Sequence, residues 1–399
     1  MATILPFKAI RPNPLYADQL VFTKPQAESV SGDYTKEGGL KPLKTLLETG
    51  ARLRPETAEG QEQAYRDIKE TLRNLLRNEH LLEENEEALY VYEVIHPDYR
   101  QTAIWCLTDL TDYTEGKIRI HELTLADSVR RMWNYRANTG LEGSPVLLTY
   151  PSDGTINAVI EMVKVQRPDN TLGNAHGIHR LWKISDQALQ QKLMDAFSKI
   201  PHTYLADGHH RFESAVRLAP SFRALSSLYL SFDELRIEAY DRVVIPETPY
   251  EKQLLFRELS KSFYIRESTA NRPVQPDEPQ RMGMYLDGQW HHLLAKDMNT
   301  PFGAEFLQQN ILSGIFYITD PKTDSRLKCA GGEKALEEIS GICQAYPCAI
   351  AFTLSPMTVA ELVAAADAGR ILPPKSTWII PKVPYGLLIH QHPLHDERT

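Results

Sequence analysis

The sequence predicts a mixed α/β (α+β) protein of two domains, and three observations lead there. Its 399 residues exceed the size at which one hydrophobic core usually stops growing. Runs of β-forming residues alternate with segments whose apolar positions recur every three or four residues. Hydrophobic residues make up 42% and charged residues 24%, a globular balance that supplies a core and excludes a disordered or fibrous chain.

The elements follow in order. "ILPFKAIRPNPLYA" is extended and ends in a turn, because Pro12 and Pro14 hold the residues before them in extended conformations. "SGDYTKEGG" (31–39) is a polar, Gly-rich loop, either plain surface or a mobile lid. From Glu59 to Asn78, Tyr65, Ile68, Leu72, Leu75 and Leu76 form the apolar face of an amphipathic helix. "ALYVYEVIH" and "QTAIWCLTDL", separated by "PDYR", read as a hairpin, and "KIRIHELT" as a strand ending in polar residues. "LADSVRRMWNYRANTG" is a helix starting near Asp127 or Ser128, and "SPVLLTYPSDG" a strand with a turn behind it. "GIHRLWKI" is a strand, "SDQALQQKLMDAFSKI" a helix capped by Ser185 or Asp186, and "HTYLAD" another strand. "SLYLSF" and "AYDRVVI" add two more strands, and the Pro-rich segment 264–282 reads as a linker. "MGMYLDGQWHHLLA" holds the Asp-Gly of a hairpin turn, and Gly369 stands where the last helix stops. The expected division is a main domain of residues 1–248 and a smaller α/β domain of residues 249–399, where "KQLLFRELSKSF" opens a new αβ run.

The net charge of −8, with both signs mixed along the chain, argues against a nucleic-acid partner, whose phosphate backbone needs a broad basic face. A small anion needs only a few donors. The four cysteines form no CxxC pair, no apolar run reaches the length of a membrane span, and "MATILPFKAIRPNP" lacks a leader pattern, so the expected compartment is a reducing cytoplasm. There is no GxxxxGK[ST], GxGxxG or GxSxG, which removes the common NTPase, dinucleotide and hydrolase signatures.

Chemistry concentrates in "TYLADGHHRFESAVRLA" (203–219). Phe212, Ala215, Val216 and Ala219 fall at helical spacing, so a helix begins near His209 or His210 and the polar cluster sits at its start. Unpaired N–H groups and the positive end of the helix dipole favour an anion there, and Gly208 lets the backbone approach it closely. Arg211 adds a guanidinium fork and the imidazoles of His209 and His210 add donors, which together suit phosphate. Asp207 can accept a proton from an attacking hydroxyl or hold magnesium, and the plain alternative is an N-cap. Accessory candidates are His121 and Glu122, at the end of "RIHELT", and Lys375, in the Pro-fixed turn of "LPPKSTWIIPK". His176 and His179 lack an acidic or thiol partner nearby in sequence, so no metal site is expected from them.

Taken together, "LPFKAIRP", "IRIHELT", "RANTG" with "PVLLTY", "HRLW", "YLADGHHRFESA", "YDRVV", "DPKTDSRLKCAGG" and "DAGRILPPKSTWIIPKVPYGLLIH" resemble the domain of unknown function 1015 family over nearly the whole chain. Its Asp-Gly-His-His-Arg motif is similar to the phosphate-contacting motif of the ParB, sulfiredoxin and free-serine-kinase superfamily. The resemblance implies a ParB/sulfiredoxin-like N-terminal part and a phosphotransferase using ATP or ADP with Mg2+ on a hydroxyl metabolite; the alternative it leaves is a nucleotide-sensing regulator without turnover. On that reading Gly208, His209 and Arg211 bind phosphate, and Asp207, His209 and His210 serve catalysis. Two departures from the family pattern stand out: "KPQAESVSGD" replaces a Pro-Tyr-Asp-Val segment, and Asp241 stands where a His usually precedes Arg-Val-Val.

Overall fold

Residues 2–23, 43, 46–47, 57–122, 124, 126–174, 177–219, 221–269, 273–297 and 303–393 are described by the structure, a computed structural model. The 31–39 loop, the "KPQAESVSGD" departure and His176 lie outside them. The chain forms two compact units, one of residues 1–120, 124–235 and 381–399, the other of residues 121–123 and 236–380. The division falls at 235/236 instead of the expected 248/249 because Tyr240–Val244 pairs with strands of the second unit, and residues 381–399 return to the first.

The first unit is built on a nine-stranded mixed sheet. Its strands are β1 (Ile4–Leu5), β2 (Leu89–Ile95), β3 (Arg100–Asp109), β4 (Ile118–Arg119), β5 (Val146–Tyr150), β6 (Asn170–Asn174), β7 (Gly177–Ile184), β8 (Thr203–Asp207) and β9 (Ala224–Ser231). Their order is β4-β8-β5-β9-β3-β2-β7-β6, with β1 added to β3. The β4/β8 and β5/β9 pairs are parallel and the rest antiparallel. The expected hairpin is β2/β3, with Tyr92 opposite Ala103.

Five helices of this unit matter here: α1 (Ala58–Arg77), α2 (Ala126–Thr139), α3 (Gly154–Lys164), α4 (Gln187–Phe197) and α5 (His209–Val216). α1 buries Tyr65, Ile68 and Leu72, the stripe its period dictates, and the Thr57 side chain accepts the Gly60 N–H at its start. α4 starts as expected at Asp186, which accepts from Ala188 N and Leu189 N. α3 was not foreseen: Asp153 caps it by accepting from Thr155 N at 2.8 Å and Ile156 N at 3.0 Å, so the Ser-Asp-Gly that reads as a turn is a helix start. Val159 of α3, Leu193 and Phe197 of α4 and Phe212 and Ala215 of α5 pack with Ile104, Leu148, Leu205 and Tyr229 of the sheet in one core. β4 ends before His121, which belongs to the second unit.

The second unit holds a six-stranded antiparallel sheet of β10 (Tyr240–Val244), β11 (Phe263–Glu267), β12 (Arg281–Leu286), β13 (Gln289–Ala295), β14 (Leu327–Gly331) and β15 (Ile350–Leu354), ordered β11-β13-β12-β15-β10-β14. Both faces are covered, since Val244, Ile350 and Phe352 enter one core while Val243 and Ala351 enter another. The segment 264–282 is not wholly a linker: its ends belong to β11 and β12. β11 is an edge strand with exposed polar positions, which is why its composition looks loop-like. The Asp287-Gly288 turn joins β12 to β13 with φ of +48° and +82°, as a two-residue hairpin requires. Gly369, at φ +63°, follows the last helix as expected.

Candidate functional site

β8 carries four buried residues, Thr203 to Ala206, and delivers Asp207 at its end beside Leu147 of β5. Gly208 turns the chain with φ +94° and ψ +27° and is itself the N-cap of α5, so the helix begins at His209. A side chain at residue 208 would be strained by that φ and crowded as well, because its Cβ would lie 2.9 Å from Arg211 Nη2 and 3.0 Å from Arg211 Nε. Phe212, 2% exposed, and Ala215, 1% exposed, anchor α5 in the core and fix where its first turn points. The sequence thus builds a strand, a left-handed glycine and a helix start in direct succession.

Asp207 and Arg211 meet across the first turn. Arg211 Nη2 donates to Asp207 Oδ2 at 2.8 Å, while Nη1 donates to Ser144 Oγ at 2.5 Å and to the Pro145 carbonyl at 2.6 Å. Three of its five N–H groups therefore serve protein acceptors, leaving Nε–H and one Nη2–H with no acceptor among the described residues. The fork expected to face a ligand whole is mostly a brace, with its side chain 18% exposed. Asp207 is more open, at 41%. On its other side, Lys382 Nζ lies 3.7 Å from Asp207 Oδ1. His209 is buried at 7% exposure, and His210 is half-buried.

Lys382 is the residue that sequence reasoning passed over. It stands in the quoted stretch "LPPKSTWIIPK", whose phosphate candidate on sequence grounds is Lys375. Lys375 belongs to the second unit, where its Nζ lies 5.3 Å from the centre of the Tyr240 ring. His121 and Glu122 also belong to the second unit; the His121 carbonyl accepts the Leu372 N–H at 2.8 Å, and Glu122 bridges to Leu372. The signal for Lys382 was its place between Pro381 and Pro384, which restrict the chain on either side.

Beneath the motif lies a buried ionic network. Arg136 of α2 pairs through Nε with Glu142 Oε1 at 3.0 Å, and His392 Nε2 reaches the same oxygen at 3.3 Å. Ser226 N donates to Glu142 Oε2 at 2.8 Å. Burial alone would raise the Glu142 carboxyl, but Arg136 and His392 outweigh it and hold the group down at about 2. His390, 4.4 Å from His392 ring to ring, is pushed down to about 4, by burial first and then by His392. A separate cavity of about 650 Å³, lined by Arg100, Thr102, Tyr150, Lys164 and Glu234 among others, opens at Tyr150, the end of β5 away from Asp207.

Comparison with known families matches residues 4–314 to the family described as "Protein of unknown function (DUF1015)". This chain belongs to that family. No curated protein matches the DUF1015 chain. Among solved structures it is similar to a mutant free serine kinase in complex with ADP, at 11% identity and TM-score 0.42, over 73% of this chain and 93% of that one. It is also similar to a conserved hypothetical protein from Pyrococcus furiosus, at 12% identity and TM-score 0.39, over 73% of this chain and 96% of that one. SbnI from Staphylococcus aureus, with a C-terminal truncation, matches at 12% identity and TM-score 0.38, over 71% and 87% of the two chains. At Asp241 the DUF1015 chain has a buried carboxyl in β10 that accepts the Leu354 N–H at 2.9 Å. Among the described residues no helix is long and apolar enough to cross a membrane.

Proposed function

We propose that this DUF1015 chain is a nucleotide-dependent phosphotransferase that moves a phosphoryl group from ATP or ADP to the hydroxyl of a small metabolite. The observation that carries the reading is one cluster in which an open carboxylate, a left-handed glycine, a helix start and two cations follow from three neighbouring pieces of backbone. The first-turn amides of α5, the Arg211 Nε–H and Nη2–H groups, His210 and Lys382 would receive the phosphate oxygens. Asp207 would orient the acceptor hydroxyl and take its proton as the oxygen bonds to phosphorus and the bond to the departing nucleotide breaks. Such a reaction asks mainly for position and charge neutralisation, which is what this cluster supplies. Asp207 is also the carboxylate that would hold a magnesium ion shared with the nucleotide's phosphates, an ion that needs only one or two protein carboxylates, and Arg211 and Lys382 beside it would meet the remaining charge.

The pairing of Asp207 with two cations also favours a second reading, a nucleotide-sensing regulator, in which the carboxylate holds Arg211 and Lys382 in place and takes no proton. Calorimetric titration with ATP and ADP tests the shared part, and absence of heat with both rejects both readings. Phosphorus NMR of the protein with nucleotide and a pool of hydroxyl metabolites then separates them. A new phosphomonoester signal that disappears in Asp207→Asn supports transfer, and binding without product supports the regulator.

A further inference from the structure

Residue 211 is held from two sides. On the outer side its guanidinium is spread over Ser144, Pro145 and Asp207. On the inner side its carbonyl accepts from Arg136 Nη1 and from Ser214 Oγ at 2.8 Å, and the same Arg136 Nη1 reaches Ser214 Oγ at 2.5 Å. Arg136 is in turn fixed by Glu142, whose carboxylate also takes the Ser226 N–H of β9 and faces His392, itself stacked on Phe222 at 4.2 Å. A chain of contacts therefore runs from the middle of the sheet to the backbone of the arginine in the motif.

An apolar pair in place of Arg136 and Glu142 would fill the same core at no desolvation cost, so stability alone does not account for a buried guanidinium with 5% of its side chain exposed. Its Nη1 donates to the peptide carbonyl of the residue that also carries the site's guanidinium. The Arg211 backbone cannot shift without breaking one of the two sets of bonds, and a misplacement near 1 Å is enough to weaken an oriented ligand contact greatly.

We propose that Arg136 is a positioning residue of the anion site, setting the pose of Arg211 and of the first turn of α5 through the Arg211 carbonyl. The inference rests on the phosphate-site reading above and adds a residue that never touches the ligand. The test combines calorimetric titration with ADP and amide hydrogen exchange over Phe212–Ala215 in the ligand-free protein. The proteins compared are wild type, Arg136→Lys, Arg136→Met, Ser214→Ala, Arg211→Met and the Arg136→Met/Arg211→Met double variant.

Arg136→Met is expected to weaken ADP binding about tenfold and to speed exchange at Phe212–Ala215, with Arg136→Lys recovering part of both. In the Arg211→Met background the same change is expected to cost less than about twofold, because its route to the ligand is already gone. Ser214→Ala, a small change that keeps the core filled, is expected to shift both readouts in the same direction by less; it carries the test should Arg136→Met fail to fold. An equal loss in both backgrounds, or unchanged exchange in the Arg136 and Ser214 variants, overturns the proposal. Faster exchange in the variants with no ADP binding by the wild type upholds the positioning and rejects the phosphate reading instead.

Discussion

At Gly208 two constraints coincide, a left-handed φ of +94° and the Arg211 guanidinium within about 3 Å of where a Cβ would stand. Gly208→Ala is therefore expected to lose about 1–2 kcal/mol of stability in urea unfolding from backbone strain. It should also lose most ADP affinity in the same calorimetric titration, because Arg211 must move aside. An alanine variant that binds ADP like wild type would show that the close approach of glycine and arginine serves packing only. Lys382 acts by charge instead. Lys382→Met should weaken ADP binding about tenfold at low salt and by less as ionic strength rises, since a side chain one-third exposed is partly screened. Loss of affinity that does not vary with salt would assign Lys382 a packing role.

Among the elements, α3 shows how a local rule decides a boundary. The Asp153 carboxylate takes two first-turn N–H groups, so Asp153→Ala is expected to cost about 1 kcal/mol in urea unfolding while leaving ADP binding unchanged. The same rule explains what was legible in the sequence. α1, the β2/β3 hairpin, the Asp287-Gly288 turn and the strand-to-helix passage at Asp207–His209 each carry their own signal within a few residues, as a period, a turn pair or a cap. Signals that serve two purposes are ambiguous in sequence: Ser152-Asp153-Gly154 spells both a turn and a cap, and the polar edge strand β11 spells a linker. The approach of Lys382 to Asp207 and the convergence of Arg136, Glu142 and His392 depend on segments distant in sequence. No local period encodes such meetings, so the candidate site was legible in its motif and illegible in its supports.

Within the two units, buried groups answer pH in opposite directions. In the first, His390 is held down at about 4 and Glu142 at about 2, both below their ordinary values. Each contributes stability in full above its unfolded value, about 6.5 for histidine and about 4.3 for glutamate. That stability is lost as pH falls through the folded values, so this unit weakens in acid. In the second, burial pushes Asp241 up to about 7, and its Oδ2 has no hydrogen-bond partner among the described residues. Its protonated form is the one the fold prefers, so its contribution is complete below about 4 and is lost as pH rises through about 7, at a limiting slope of about 1.4 kcal/mol per pH unit. Asp241→Asn keeps the acceptor for the Leu354 N–H and removes the titration. His291 and His292 of the same unit are held below the ordinary histidine value, by burial first, and act the opposite way. Urea unfolding at pH 5 and pH 8, followed by pulse proteolysis and mass spectrometry to read each unit, should therefore show the second unit's midpoint shifted downward with pH in the wild type relative to Asp241→Asn. The first unit's midpoint should rise over the same interval in both proteins. An equal change in the second unit of wild type and Asp241→Asn would mean that Asp241 stays ionised in its buried position and that other groups set the dependence.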